Sequence, residues 1–417
     1  MTAPFYLGLD FGTSGARAIA ITGEGEISQT ISVNPLEQTP QGWREALWHL
    51  LAALNLEIRQ NLQAIALNGT SGTVLLCDAS GEAITEALLY NDDRGQTVLP
   101  MLRTLAPPQH LVQSATASLA KLLWFESQGL TQGANYFCHQ ADWLSGLLHG
   151  NFSLSDYHNV LKLGYDVENL GYPFWLQQHP LFHLLPQVQT PGAGKQKILA
   201  TVARRFGINP HCQICAGTTD SIAAFIASGA QEIGQAVTSL GSTLVLKLLG
   251  DRPIQDLAAG VYSHRFGHLW LVGGASNTGG AVLKHYFDDT QLQRLSVTLN
   301  PHQDSGLNYY PLLRPGDRFP INDPTLPPKL TPRPQDSRQF LQGLLEGIAR
   351  IEAQGYQKLQ ALGAPPVSTV FTAGGGAKNP VWTQIRARYL RCPVLISPQP
   401  EAAYGSALLA QRGLPRA

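Results

Sequence analysis

Charge is scarce in this chain. Only 14% of its 417 residues are Asp, Glu, Lys or Arg, and 29 basic residues cancel 29 acidic ones. Holding nucleic acid takes a basic field, so the balance excludes that partner class and confines any phosphate site to local groups. Long apolar runs are missing as well. No stretch approaches the roughly 20 residues that span a bilayer. The start, "MTAPFYLGLD", has no positively charged segment and meets Asp10 too early for a signal peptide. Cysteine is sparse and odd in number: Cys77, Cys138, Cys212, Cys215 and Cys392. That set fits reduced thiols rather than a disulfide framework, so a cytoplasmic protein is expected.

Three apparent motifs fail. Gly194-Lys195 has the look of a phosphate-binding loop, but Gln189 and Gln196 stand where the leading glycine and the Ser/Thr are required. Cys212 and Cys215 have the spacing of a redox or zinc pair without a partner pair, and the second lies in an apolar run, so buried thiols are expected. His139 and Asp142 share a helical turn but lack a third metal ligand.

What is present is an ordered chain, 44% apolar, too long for one simple core. Strand-like and helix-like segments alternate, which predicts an α/β fold. "YLGLDFGTSGARAIAIT" reads as strand, glycine-rich turn and strand. "WREALWHLLAALNLEI" reads as a helix, "LQAIALNG" as a strand, and "GTVLLCDASGEAI" as a hairpin. "QICAGTTDSIAAFIASGA" is strand, turn and small-residue helix. Near Gly229 the pattern restarts: "QAVTSLGSTLVLKLLG" repeats the opening hairpin without its aspartate. Two related domains facing a shared cleft are therefore expected. "DSRQFLQGLLEGIARIEAQGYQKLQALG" reads as a long helix with candidate breaks at Gly343 or Gly355. "VSTVFTAGGGAKNPVW" is strand, triple-glycine turn and helix, and "AAYGSALLAQRG" a closing helix.

The turns carry the chemistry. Gly12 and Gly15 allow the backbone to bend or to approach a ligand closely. Asp10, Thr13 and Ser14 bring a carboxylate, hydroxyls and N–H groups to the same turn. Asp220, where an apolar strand enters a helix, is either a helix cap or a catalytic carboxylate. Gly374, Gly375 and Gly376 permit a flat or phosphorylated ligand at a helix N-terminus.

In order and spacing these segments resemble the FGGY carbohydrate kinases over nearly the whole chain. "GLDFGTSGARA" is similar to the family's first phosphate loop, "YNDDR" to its sugar-side element, and "AGTTD" to the loop with its catalytic aspartate. "SLGST" is similar to the second phosphate loop, "YPLLRPGDRFP" to the GERxP loop and "TAGGGAKNPVW" to the adenosine motif. The resemblance implies two actin/hexokinase-like (ribonuclease H-like) ATPase domains around a central cleft. Residues 1–226 would bind sugar and carry the catalytic base. Residues 227–417 would bind nucleotide, with the last helix packing back on the first domain. It implies ATP and Mg²⁺ as cofactors, a small sugar as partner, and a monomer or homodimer. Asp220 would be the general base, Asp10 would hold Mg²⁺ through water, and Thr13 with Gly12 and Ser14 would hold the γ-phosphoryl group. Gly241, Ser242 and Thr243 would meet the other phosphates. Gly374, Gly375, Gly376 and Asn379 would flank the adenosine, and Ser71, Asp93 and Asp220 would face the sugar.

Departures qualify the match. The chain is shorter than typical members. Tyr90 stands for the usual tryptophan and Asp317 for the glutamate of GERxP. "LNGTSGTVL" replaces the Ser-Gly-Gln-Met-His of typical xylulose kinases, removing a histidine used at the sugar. The expectation is phosphorylation of D-ribulose to D-ribulose 5-phosphate. The alternatives are a D-xylulose or other polyol kinase, an actin-like ATPase, or a silent sugar or nucleotide sensor.

Overall fold

The computed structural model describes residues 3–194 and 196–415, so Lys195 of the rejected phosphate loop lies outside the described residues. The chain divides into two compact units. One contains the chain up to Ala227 and takes it back from Glu401 onward; the other is Ser228–Pro400.

The first unit is built on a mixed sheet. Strand Phe5–Phe11 pairs antiparallel with Ala16–Thr22, which pairs with Ile27–Val33. On its other side Phe5–Phe11 runs parallel to Leu62–Gly69. Gln213–Ile214 and Thr218–Thr219 then pair parallel with Leu62–Gly69. Central strands are apolar on both faces, as expected where helices cover a sheet. Leu7, Leu9, Ile65 and Leu67 are all fully buried.

The closing helix Ala402–Arg412 lies on this sheet because small residues let it come close. A β-carbon on Gly8 would sit 1.9 Å from the Ala403 carbonyl oxygen. One on Gly405 would sit 1.8 Å from the carbonyl oxygen of Ala223, in the neighbouring helix Asp220–Ala227. Tyr404 adds a hydroxyl that donates to Gly25 O at 3.0 Å.

The second unit repeats the pattern. Strand Gln235–Leu240 pairs antiparallel with Leu244–Gly250, which pairs with Leu269–Ser276. Its other edge runs parallel to Thr369–Ala373, which runs parallel to Val394–Ile396. The echo in the sequence is therefore a shared topology: a glycine-turn hairpin whose first strand also meets a parallel partner.

Two expectations need correction. Helix Ser337–Ala361 runs unbroken through both glycines. They are close-packing positions: a β-carbon on Gly343 would meet Leu307 and Tyr309, and one on Gly355 would meet Leu246 and Phe319. The segment from Trp43 to Ile58 is not one helix. Pro40–Ala52 and Leu56–Asn61 are separated, and the Gln29 side chain binds the break by donating to Ala53 O and accepting from Asn55 N. The hairpin expected from Gly72 to Ile84 forms, with Cys77 opposite Ala83 and Ile84 N donating to Leu76 O at 2.9 Å, and strand Val74–Cys77 takes Tyr136–His139 as a further partner. No local signal reports a partner that distant in sequence.

No disulfide joins the five cysteines, and Cys212 and Cys215 are buried. His139 and Asp142 satisfy each other in the core at 3.0 Å, with the second His139 nitrogen on Ser118 at 3.1 Å. Among the described residues no cluster could hold a metal through three His, Cys, Asp or Glu side chains. None of the described helices is long and apolar enough to cross a membrane.

Candidate active site

Register brings two carboxylates of the first unit together. Asp10 lies next to the end of its strand, opposite Arg17 on one side and Asn68 on the other. Thr218 is also opposite Asn68, so Asp220 follows at the same end of the sheet, as the first residue of helix Asp220–Ala227. Asp10, Gly12, Thr13, Ser14, Arg17 and Asp220 line one cavity of about 380 Å³. Strand C-terminal ends in an α/β sheet are where ligands sit.

The two aspartates repel. Burial pushes the Asp10 carboxyl up from 3.8 to about 7, the charge of Asp220 adds to that, and Arg17 opposes it. Asp220 is partly buried and its Oδ1 accepts from Ser221 N at 2.6 Å. Two carboxylates that disfavour each other's charge form a donor set that a divalent cation suits.

The glycine turn divides its labour. Packing disfavours a side chain at Gly15, since a β-carbon would fall 2.9 Å from the backbone Val33 O and would displace the Asn34 side chain. At Gly12 a β-carbon would touch nothing nearer than Gly15 O at 3.6 Å. Packing within the turn does not demand that glycine, whereas a ligand approaching the backbone would. Thr13 and Ser14 are exposed. The turn is closed by Gly12 N donating to Gly15 O at 3.0 Å. It is braced by Gln38 Nε2, which donates to the carbonyls of Gly12 and Thr13 at 3.1 Å each.

Sequence reasoning missed Arg17 and Gln38. Arg17 had a signal, as the single charge in the apolar strand "ARAIAIT". It pairs with Glu401 at the start of the last helix. Gln38 had none, because its use depends on where the chain returns.

Ser71 and Asp93 do not line this cavity. Ser71 is partly buried in the turn after Leu62–Gly69. That turn is held by Lys121, whose buried ammonium donates to Gly72 O at 2.7 Å and Leu89 O at 2.5 Å. Asp93 is exposed, and Arg94 binds its neighbour Asp92 instead, with both Nε and Nη2 on that carboxylate.

The second unit holds a larger and more apolar cavity, about 820 Å³, lined by Gly241, Ser242, Leu292, Gly375, Gly376 and Asn379 among others. Thr243 and Gly374 are not in its lining. Gly374 is held at φ 82°, and its β-carbon would meet Leu240 O at 2.8 Å. Gly375 has nothing within 4 Å, so packing leaves it open to a ligand. Asn379 uses its side chain internally: Oδ1 caps helix Pro380–Leu390 at Trp382 N, 3.0 Å, and Nδ2 donates to Ser296 Oγ at 2.9 Å.

Two glycine-turn sheets, one with paired carboxylates, are the arrangement on which the sequence comparison decides. Residues 5–227 match the N-terminal domain of the FGGY family of carbohydrate kinases, and residues 236–414 match its C-terminal domain. The chain belongs to the FGGY family of carbohydrate kinases. As an FGGY kinase it is a phosphotransferase, and kinases of this family take ATP as phosphate donor. It is 24% identical to a xylulose kinase of Bacillus subtilis, over 98% of this chain and 88% of that protein. It is 20% identical to a gluconokinase of the same species, over 97% and 86%. Its fold matches the crystal structure of a "xyloylose kinase" from Brucella ovis with a TM-score of 0.88 at 22% identity, covering 98% of this FGGY kinase and 90% of that chain.

Proposed function

We propose that this FGGY kinase transfers the γ-phosphoryl group of ATP to a ketopentose, D-ribulose, at O5. The observation that carries the reading is the pair Asp10 and Asp220 on one cavity with Thr13 and the open backbone of Gly12. Phosphoryl transfer demands positioning and neutralisation of spreading charge rather than covalent help. Asp220 accepts the proton of the attacking hydroxyl. Thr13, Gly12 and Ser14 hold the transferred group, and Arg17 adds a positive charge beside it. Asp10 would hold Mg²⁺, usually through water since that ion keeps much of its hydration shell; bound there, the ion would neutralise phosphate charge. Gly241, Ser242, Thr243 and the turn from Gly374 to Gly376 serve the nucleotide, and Asn379 holds that turn to its neighbours.

The preference for D-ribulose is supported by the sugar-side turn. Gly72 has φ 81°, a conformation that disfavours any side chain, so this turn has no place for a histidine there. Ser71 beside it can donate to a hydroxyl, and Asp93 is offered as a second polar contact. A second reading, D-xylulose, is favoured by the xylulose kinases among the relatives. A screen of ADP release with Mg·ATP against pentuloses, hexuloses, pentitols, gluconate and glycerol tests both. The expected outcome is a higher kcat/KM for D-ribulose. An unsatisfied buried polar group separates the epimers by about 5- to 150-fold. A preference for D-xylulose overturns the ribulose assignment, and sugar-independent ADP release alone would overturn the kinase mechanism.

A further inference from the structure

Asp317 stands well away in sequence from either phosphate loop. It is buried, and every acceptor position of its carboxylate is taken. Oδ1 accepts from Asn277 N at 2.7 Å and from Arg318 N at 2.8 Å. Oδ2 accepts from Ser276 Oγ at 2.7 Å and Tyr310 OH at 2.6 Å. A carboxylate offers about four such sites, and an amide could satisfy at most part of them.

The groups it fixes lead directly to the turn Gly241–Thr243. Ser276 Oγ accepts in turn from Thr278 N at 3.2 Å. Thr278 O accepts from Leu244 N at 2.8 Å, and Thr278 Oγ1 donates to Pro311 O at 2.6 Å. The next residues lie against the turn itself. Gly280 N donates to Gly241 O at 2.8 Å, and Ala281 N donates to Ser242 O at 3.1 Å. The approach is close enough that a β-carbon on Gly279 would fall 2.7 Å from the Thr243 carbonyl carbon, and one on Gly280 would fall 2.7 Å from Gly241 O. Arg318 reinforces the same segment, its Nε donating to Asn277 Oδ1 at 2.9 Å, while Asn277 Nδ2 donates to Gly316 O at 3.0 Å.

We infer that Asp317 is a positioning residue for nucleotide. It fixes the backbone of Ser276 to Ala281, which sets the carbonyls of Gly241 and Ser242 and so aims the N–H and hydroxyl groups of the turn at the phosphates. A charged hub is used because it organises two backbone N–H groups and two hydroxyls at once, and hydrogen bonds to ions are the stronger kind. The inference rests on reading Gly241 to Thr243 as a nucleotide loop. It does not depend on which sugar is the acceptor.

The test compares wild type with Asp317→Asn, Asp317→Glu and Tyr310→Phe in the full chain. ADP binding is followed by calorimetry, and KM for Mg·ATP, kcat and D-ribulose binding without nucleotide are measured alongside. Asp317→Asn is expected to weaken ADP binding and raise KM for ATP by about tenfold or more, with sugar affinity within about twofold of wild type. Asp317→Glu keeps the charge and is expected to recover most of the ADP affinity. Tyr310→Phe removes one donor and is expected to weaken ADP binding by about threefold. If Asp317→Asn does not fold, Tyr310→Phe decides. Unchanged ADP affinity in the variant that folds, even with a lowered unfolding midpoint, overturns the inference and leaves Asp317 as a stability residue. Because ADP binding is read directly, a wild type that binds ADP but phosphorylates no pentulose defeats the proposed reaction without touching this result.

Discussion

The two units share a sheet topology and a glycine-turn hairpin, yet their cavities differ. Strand Phe5–Phe11 carries Asp10 next to the turn at its end, and the two share about 380 Å³ with Asp220 and Arg17. The turn after Gln235–Leu240 carries no carboxylate and opens on about 820 Å³ with Leu240, Leu283, Leu292 and Val297 on its walls. One unit concentrates charge, as the proposed phosphoryl chemistry requires. The other offers apolar area, the kind of surface the proposed function needs for a flat ligand. The shared fold supplies a strand end and a turn; the few residues placed there decide between reaction and binding.

The sharpest way to break the comparison is Asp220→Asn. If the first unit holds the chemistry, turnover falls by about 10²–10⁴, the usual contribution of a positioned base, while calorimetry finds ATP affinity unchanged. Near-normal sugar-dependent turnover would end the assignment.

Arg386→Met should do the opposite in the second unit. Arg386 and Glu352 are fully buried and joined through two nitrogens at 2.6 and 2.7 Å, with Thr372 on a third at 2.6 Å. Removing one partner strands a buried charge and should cost about 3–5 kcal/mol in denaturant unfolding. A loss below about 1 kcal/mol would mean that water relieves Glu352.

Asp10→Asn separates function from stability. The folded chain holds the Asp10 proton up to about pH 7, whereas its ordinary value is 3.8. The folded state binds more protons between these values, so this group's contribution to stability is complete below pH 3.8 and is lost as pH rises through 7. Without metal, Asp10→Asn should therefore be more stable than wild type at pH 8, by on the order of a few kcal/mol, and show a flatter profile from pH 4 to 8. The same variant should lose Mg²⁺-dependent turnover, and Mg²⁺ should raise the melting temperature of wild type only. Equal pH profiles would show that Asp10 is not under this strain.

The smallest effects on stability should come from Gly12→Ala and Gly375→Ala, one in each unit, where an added β-carbon has room. Unfolding free energy should shift by no more than about 0.5 kcal/mol. Kinetics with ATP should nevertheless worsen in both variants, because it is the ligand that needs the bare backbone. Normal kinetics in either one would remove that glycine from the site.

Much of this was legible because the signals are local. Asp10 stands near the end of an apolar run with Gly12 and Thr13 in the turn just after it, and Asp220 and the Gly374 turn each mark a strand passing into a helix. The errors were equally specific. Gly343 and Gly355 looked like helix breaks and are instead packed against Leu307, Tyr309, Leu246 and Phe319. Whether a glycine weakens a helix or admits a neighbour depends on what lies opposite, and local propensity carries no such information. Asn379 lines the cavity of the second unit, while its side chain is engaged by Trp382 and Ser296, and the Ser296 contact has no local signal either.

The sequence alone determined the alternation of elements, the repeated hairpin and the identity of the turns, because backbone conformation and apolar periodicity are written within a few residues. Only the tertiary structure decided that Asp10 faces Asp220 and Arg17, that Gln38 braces the first turn, and that Asp317 reaches Gly241 through Ser276 and Thr278. Those pairings depend on strand register and close backbone approach between distant segments, and both are set by the packing of the folded chain.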